Sequence, residues 1–115
     1  FGKRFLDPAN KEVAVRYLEV FLKALREYKD DPDYSNEENL AIISKYTNLP
    51  PEVIKKLERS YNDANCRFFK ASMENAQDYY ISHGYTEYSE PISLPDIIDE
   101  SFAEEVLRRI GEYQE

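Results

Sequence analysis

One histidine and one cysteine make up the soft-donor and neutral-pH base chemistry of this 115-residue chain. His83 stands one residue before Gly84, at the end of a periodic helical stretch. There an imidazole can serve the last carbonyls of the helix and its dipole. General-base work would need a nucleophile and an orienting carboxylate, and no local spacing offers them. Cys66 has no second cysteine, so no internal disulfide or thiolate metal site can form. It reads as a small apolar side chain at a helix start.

Asp30-Asp31-Pro32-Asp33, with Asn36, Glu37 and Glu38, is an oxygen-rich cluster. A calcium loop needs Gly at its sixth position and Glu at its twelfth. Counted from Asp31 those positions are Asn36 and Ile42, so the segment reads as a solvated turn. Glu37/Glu38 and Glu104/Glu105 read as solubilising charge, because glycosidase pairs are defined by separation in space. The three glycines, Gly2, Gly84 and Gly111, are too dispersed for a phosphate-cradling loop. Of ten tyrosines, Tyr79/Tyr80 and Tyr85/Tyr88 are the densest group; such rings can line a ligand pocket or pack at an interface with wet hydroxyls, and packing is the favoured reading. No catalytic residue, metal ligand or cofactor is assigned, and no ligand-binding residue can be named.

The elements that must position these residues follow from periodicity and punctuation. With 42% hydrophobic and 33% charged residues, only a modest core can form. A net charge of −8 disfavours nucleic acid, since phosphate binding depends on Lys and Arg, and disfavours a polybasic contact with membranes. No apolar run approaches the roughly 20 residues of a membrane span. No secretory signal is present, and the start Phe1-Gly2-Lys3-Arg4-Phe5 reads as that of an excised or processed piece.

Phe1–Leu6 is expected to be the tail of a strand. Asp7 as N-cap and Pro8 at N1 start a helix running to about Tyr28. Ala14, Leu18, Phe21, Leu25 and Tyr28 form one stripe; Val13, Tyr17, Val20 and Ala24 form a second beside it. Together they exceed one ordinary buried face and predict two neighbours. The corresponding expectation is that the isolated chain either repacks into a compact bundle or self-associates through Tyr17, Val20 or Ala24. Ser35 and Glu38 match a capping box before a short helix with Leu40, Ile43, Tyr46 and Thr47, ending near Asn48. Leu49-Pro50-Pro51-Glu52 restarts a helix with Val53, Ile54, Leu57 and Tyr61 on one face, giving a helical hairpin. A longer helix is predicted over Cys66–His83, carried by Phe69, Met73, Ala76 and Tyr80. Pro91 and Pro95 bracket an extended passage with a one-turn helix at Leu94–Ile98, where Ser93 and Asp96 are a weak box. Asp99 or Ser101, the latter boxed with Glu104, caps a last helix of Phe102, Val106, Leu107 and Ile110 that stops at Gly111. The expectation is a single all-α domain of about five helices over residues 1–115.

This succession resembles the C-terminal end of ABC-transporter solute-binding proteins. The group is the nitrate/sulfonate/taurine type, similar also to the thiamine-pyrimidine precursor family. The resemblance is carried by Asp78-Tyr79-Tyr80, His83-Gly84, Pro91-Ile92-Ser93-Leu94, Asp99 and Ser101-Phe102. It extends to Asn10–Tyr28, with the ending Ala24-Leu25-Arg26-Glu27-Tyr28, and to the hairpin turn Lys45-Tyr46-Thr47-Asn48-Leu49-Pro50-Pro51-Glu52-Val53. Each motif is short, and their order and spacing carry the likeness over nearly the whole chain. An aromatic usually written Trp in the Gly-closed helix is Tyr here, and the chain has no Trp.

The resemblance implies a parent of two-lobed α/β periplasmic-binding-protein type II fold, non-enzymatic and extracytoplasmic. It would take a small organic or oxyanion solute between its lobes and deliver it to a membrane permease. These residues would pack onto the lobes and support the hinge side, and no solute contact is named among them. Two other classes stand beside this one: a free-standing helical protein-interaction domain, and a fragment of a thiamine-pyrimidine biosynthesis enzyme. The enzyme relatives use His- and Cys-rich motifs, which one His and one Cys cannot supply.

Overall fold

The computed structural model describes residues 2–114, and among them it contains helices and no strand. In chain order these are α1 (Lys3–Leu6), a 3-10 turn (Pro8–Asn10), α2 (Lys11–Asp30), α3 (Glu37–Thr47), α4 (Pro51–Ile54), α5 (Lys70–Ser82), α6 (Leu94–Ile97) and α7 (Ser101–Ile110). The all-α expectation holds. Three of the helices are single turns, so the long ones are α2, α3, α5 and α7. The strand tail expected over Phe1–Leu6 is instead the helical turn α1; Phe1 lies outside the described residues.

Asp7 caps the 3-10 turn rather than the long helix, its carboxylate accepting from the Ala9 amide at 2.9 Å with Pro8 following, and α2 itself starts at Lys11 after Asn10. Ser35 does not cap α3. The carboxamide of Asn36 accepts from the amides of Glu38 (3.0 Å) and Asn39 (3.3 Å), while the Ser35 hydroxyl donates to Asp31. The Ser101–Glu104 box is also absent: the Asp99 carboxylate accepts from the Ser101 amide at 2.9 Å, and Ser101 already lies inside α7. Asn48, with φ 57°, ends α3 in the left-handed conformation that Asn tolerates better than most residues.

The largest core cluster joins Ala14, Val15, Leu18 and Leu22 of α2 to Phe102 and Val106 of α7. The stripe is therefore rotated from the expected one: Val15 and Leu22 are inside, and Phe21 is exposed. The side chains of the second stripe, Val13, Tyr17, Val20 and Ala24, are exposed rather than buried. A smaller cluster of Tyr34, Leu40 and Ile54, flanked by Tyr28, Ile43 and Leu49, closes the α3–α4 hairpin. Leu57 and Tyr61 lie outside it, exposed, because α4 ends after Ile54 rather than continuing through Tyr61, and Tyr46 of α3 is exposed as well.

The helix expected from Cys66 starts four residues later, at Lys70. Asp63 is the cause. Its carboxylate accepts from the amides of Asn65 (2.8 Å) and Arg67 (3.1 Å), offering the backbone a local alternative to the helix ladder. Cys66 sits in that turn with φ 56°. α5 buries none of its own residues, and Phe69, Ala76 and Tyr80 are exposed. The radius of gyration is 17.8 Å, against about 13–14 Å for a compact domain of this length. The difference comes from an arm, α5 and the passage after it, that stands off the α2–α7 core.

Candidate functional site

Polar and aromatic side chains gather at the C-terminal end of α2, in a groove beside α7 and at the end of α5.

At the first, the Arg59 guanidinium lies over the Tyr28 ring at 3.4 Å from its centroid and over Tyr34 at 4.5 Å. Arg59 also donates to the carbonyls of Tyr28 (2.6 Å) and Asp31 (2.8 Å), so a cation satisfies acceptors that the end of α2 leaves open. Its Nε is buried without a hydrogen-bond partner. The two hydroxyls of Tyr28 and Tyr34 meet at 3.2 Å. Burial opposes ionisation of Tyr28, but the Tyr34 hydroxyl and the Arg59 cation together hold it below the usual phenol range. Tyr34 is raised, first by its bond to Tyr28 and then by burial. Buried Asp31 accepts from the Asn36 amide and the Ser35 hydroxyl, and its carboxyl is held low, chiefly by the Asn36 amide. The oxygen-rich turn is thus a joint between α2 and α3. Among the described residues no group of three or more His, Cys, Asp or Glu side chains is placed to hold a metal ion.

The second place is an open groove of about 680 Å³ between the 65–70 segment and α7, with Phe68, Ala103 and Leu107 among its apolar lining. Its rim charges are paired across it, Arg67 with Glu112 and Lys70 with Glu100. Cys66 lines the groove, half-buried. Burial, and after it the Asp63 carboxylate, push its thiol up, so the nucleophilic thiolate is disfavoured. Glu104 lines the groove as well, while Glu105 is engaged by Arg108 and Arg109.

The third place holds the densest tyrosines. Gly84 has φ 68°; its amide reaches the Ile81 carbonyl at 3.0 Å, and the Tyr85 amide reaches the Tyr80 carbonyl at 2.9 Å. These two bonds are the Schellman pair that reverses a chain at a helix end. The reversal sets Tyr85 against Tyr79 (6.5 Å between centroids) and Tyr80 (6.2 Å), which are themselves edge-to-face at 5.9 Å. His83 stacks on Tyr79 at 4.1 Å, and its Nδ1 is 2.8 Å from the Tyr79 carbonyl. Its role here is the terminal-carbonyl one, shared with the Ser82 hydroxyl, which donates to the same oxygen.

Sequence reasoning did not single out Arg59, Gln77, Arg26 or Asn65. Arg26 donates to the carbonyls of Ala64 and Gly111 and to the Asn65 side chain, and Asn65 exchanges two hydrogen bonds with the Tyr113 backbone. These partners are far away in sequence, and no local pattern marks them. Compared with models of protein families, with characterised proteins and with solved structures, the chain matches none.

Proposed function

We propose that this chain is the C-terminal helical segment of the substrate-binding component of an ABC importer, of the type that takes nitrate, sulfonates, taurine or a thiamine precursor. The reading rests on the ordered succession from Asn10 to Phe102 described above. One structural observation supports it. α2 buries one face against α7, and among the described residues Val13, Val20 and Ala24 on a second face stay exposed. An α/β lobe is the kind of body that would cover such a face.

In this role the segment is not an enzyme. The parent selects its solute by closing two lobes about a hinge, and ligand stabilises the closed state. These helices brace the lobes, and the permease is met through the parent, outside the cytoplasm. The test is the coding sequence upstream of Phe1 together with thermal denaturation of the full protein. Two α/β lobes and a rise in melting temperature with one of taurine, nitrate, an alkyl sulfonate or an aminopyrimidine support the reading. An unrelated upstream domain overturns it.

A second reading, a helical interaction unit that receives a partner helix, has the groove beside α7 in its favour. It requires a reading frame that ends with these helices and a chain that is monomeric alone.

A further inference from the structure

From Ala71 to Leu107 the chain carries nine Asp and Glu side chains and no Lys or Arg. The bases that flank this stretch are already committed: Lys70 to Glu100, Arg108 to Glu105, and Arg109 to Glu105 and Glu12. Glu74, Asp78, Glu87 and Glu90, on and after α5, have no cationic partner among the described residues.

The aromatic rings stand in the same region. Tyr79, Tyr80 and Tyr85 are 53%, 51% and 67% exposed while touching one another, so the Gly84 reversal holds a ring cluster partly in water, with His83 covering one face of Tyr79. Next to it in the chain, Ile81, Thr86, Glu87, Tyr88, Ser89 and Glu90 line a shallow, widely open hollow. Two carboxylates and an aromatic ring therefore share one concavity.

We propose that this end of the arm is a docking face for a basic protein segment, with an Arg side chain of the partner entering the hollow between Glu87 and Glu90. Charge decides the occupant. A guanidinium can stack on tyrosine faces and pair with carboxylates at once. An anionic lipid surface or a nucleic acid would meet unpaired carboxylates, and a second copy of this acidic face would repel the first. The proposal concerns this face alone and does not depend on the importer reading.

The test is an NMR titration of the isotopically labelled chain with a short Arg-Gly repeat peptide and with its Gln-Gly counterpart. Amide shifts are expected to concentrate between Tyr79 and Glu90. Binding of the Arg peptide is expected to be about tenfold tighter than that of the Gln peptide, the size of a few exposed cation–π contacts, and to weaken with added salt. Tyr79→Ala with Tyr85→Ala, and separately Glu87→Gln with Glu90→Gln, should each reduce affinity about tenfold. Asp96→Asn with Glu104→Gln should leave it unchanged. Helicity by circular dichroism guards against misfolding, and the loop variants Glu87→Gln and Glu90→Gln keep the test open if the tyrosine pair disturbs α5. Equal binding of the Gln peptide, shifts spread over every acidic surface, or a dimer formed through Tyr79–Tyr85 would each overturn the proposal.

Discussion

The Gln77 carboxamide bonds the backbone of Ile92 in both directions: it donates to the Ile92 carbonyl at 3.0 Å and accepts from the Ile92 amide at 2.9 Å. A single side chain thus plays the part of a neighbouring strand for one residue of the extended passage. It ties the return of the arm to the middle of α5.

Gln77→Ala should cost about 1 kcal/mol or slightly more, the usual net worth of such bonds. The sharper readout is local: hydrogen exchange at the Ile92 amide should accelerate while exchange in α2 stays unchanged. Gln77→Glu should fall between the two proteins, since it keeps the acceptor and loses the donor.

Arg59 locks the α2–α3 joint by stacking on two rings and capping two carbonyls. Arg59→Ala should destabilise the fold by about 3 kcal/mol in a denaturant titration. Arg59→Lys keeps the charge but not the planar fork, and should recover less than half of that loss. A loss within experimental error for both would show that the joint is held by the Tyr34–Leu40–Ile54 cluster alone.

Glu12 and Arg109 pair bidentately across the ends of α2 and α7, at 2.9 and 3.0 Å. Hydrogen bonds from Arg109, and after it Arg16, hold the Glu12 carboxyl down to about 2 from its ordinary 4.5. Because the folded value is the lower one, this stabilisation is complete above about pH 4.5 and is lost as pH falls towards 2. Arg109→Ala should flatten the acid limb of the stability curve in that window. The pair is exposed, so high salt should shrink the difference between the two proteins.

The uncovered face of α2 should make the isolated chain self-associate at micromolar concentration. Val20→Glu, at a position 67% exposed, should return it to a monomer in light scattering without loss of helix. A wild-type chain that stays monomeric at all concentrations would rule this out.

The sequence announced the elements where punctuation is local. Asp7-Pro8, Gly84, Gly111 and the Pro50-Pro51 restart all lie at observed helix ends. It failed where a side chain captures backbone out of turn. Asp63 delays α5, and Asn36 displaces Ser35 as a cap because Ser35 is drawn to the buried Asp31. Periodicity overstated α2: Val13 and Val20 repeat as core residues do, yet both are exposed. Of the candidate places, the tyrosine cluster was legible as composition, while its geometry depends on the Schellman reversal. The Arg59 joint was not legible, because Arg59 meets its carbonyl partners about thirty residues back along the chain.

The base-free run from Ala71 to Leu107 also sets how the arm meets proteases. Trypsin, which cuts after Lys and Arg, finds no site between Lys70 and Arg108 and should release the arm as one large peptide. Chymotrypsin, which cuts after aromatic residues, has exposed sites within the arm at Tyr79, Tyr80, Tyr85 and Tyr88. The ratio of the two digestion rates is therefore a direct gauge of whether anything is seated on the arm.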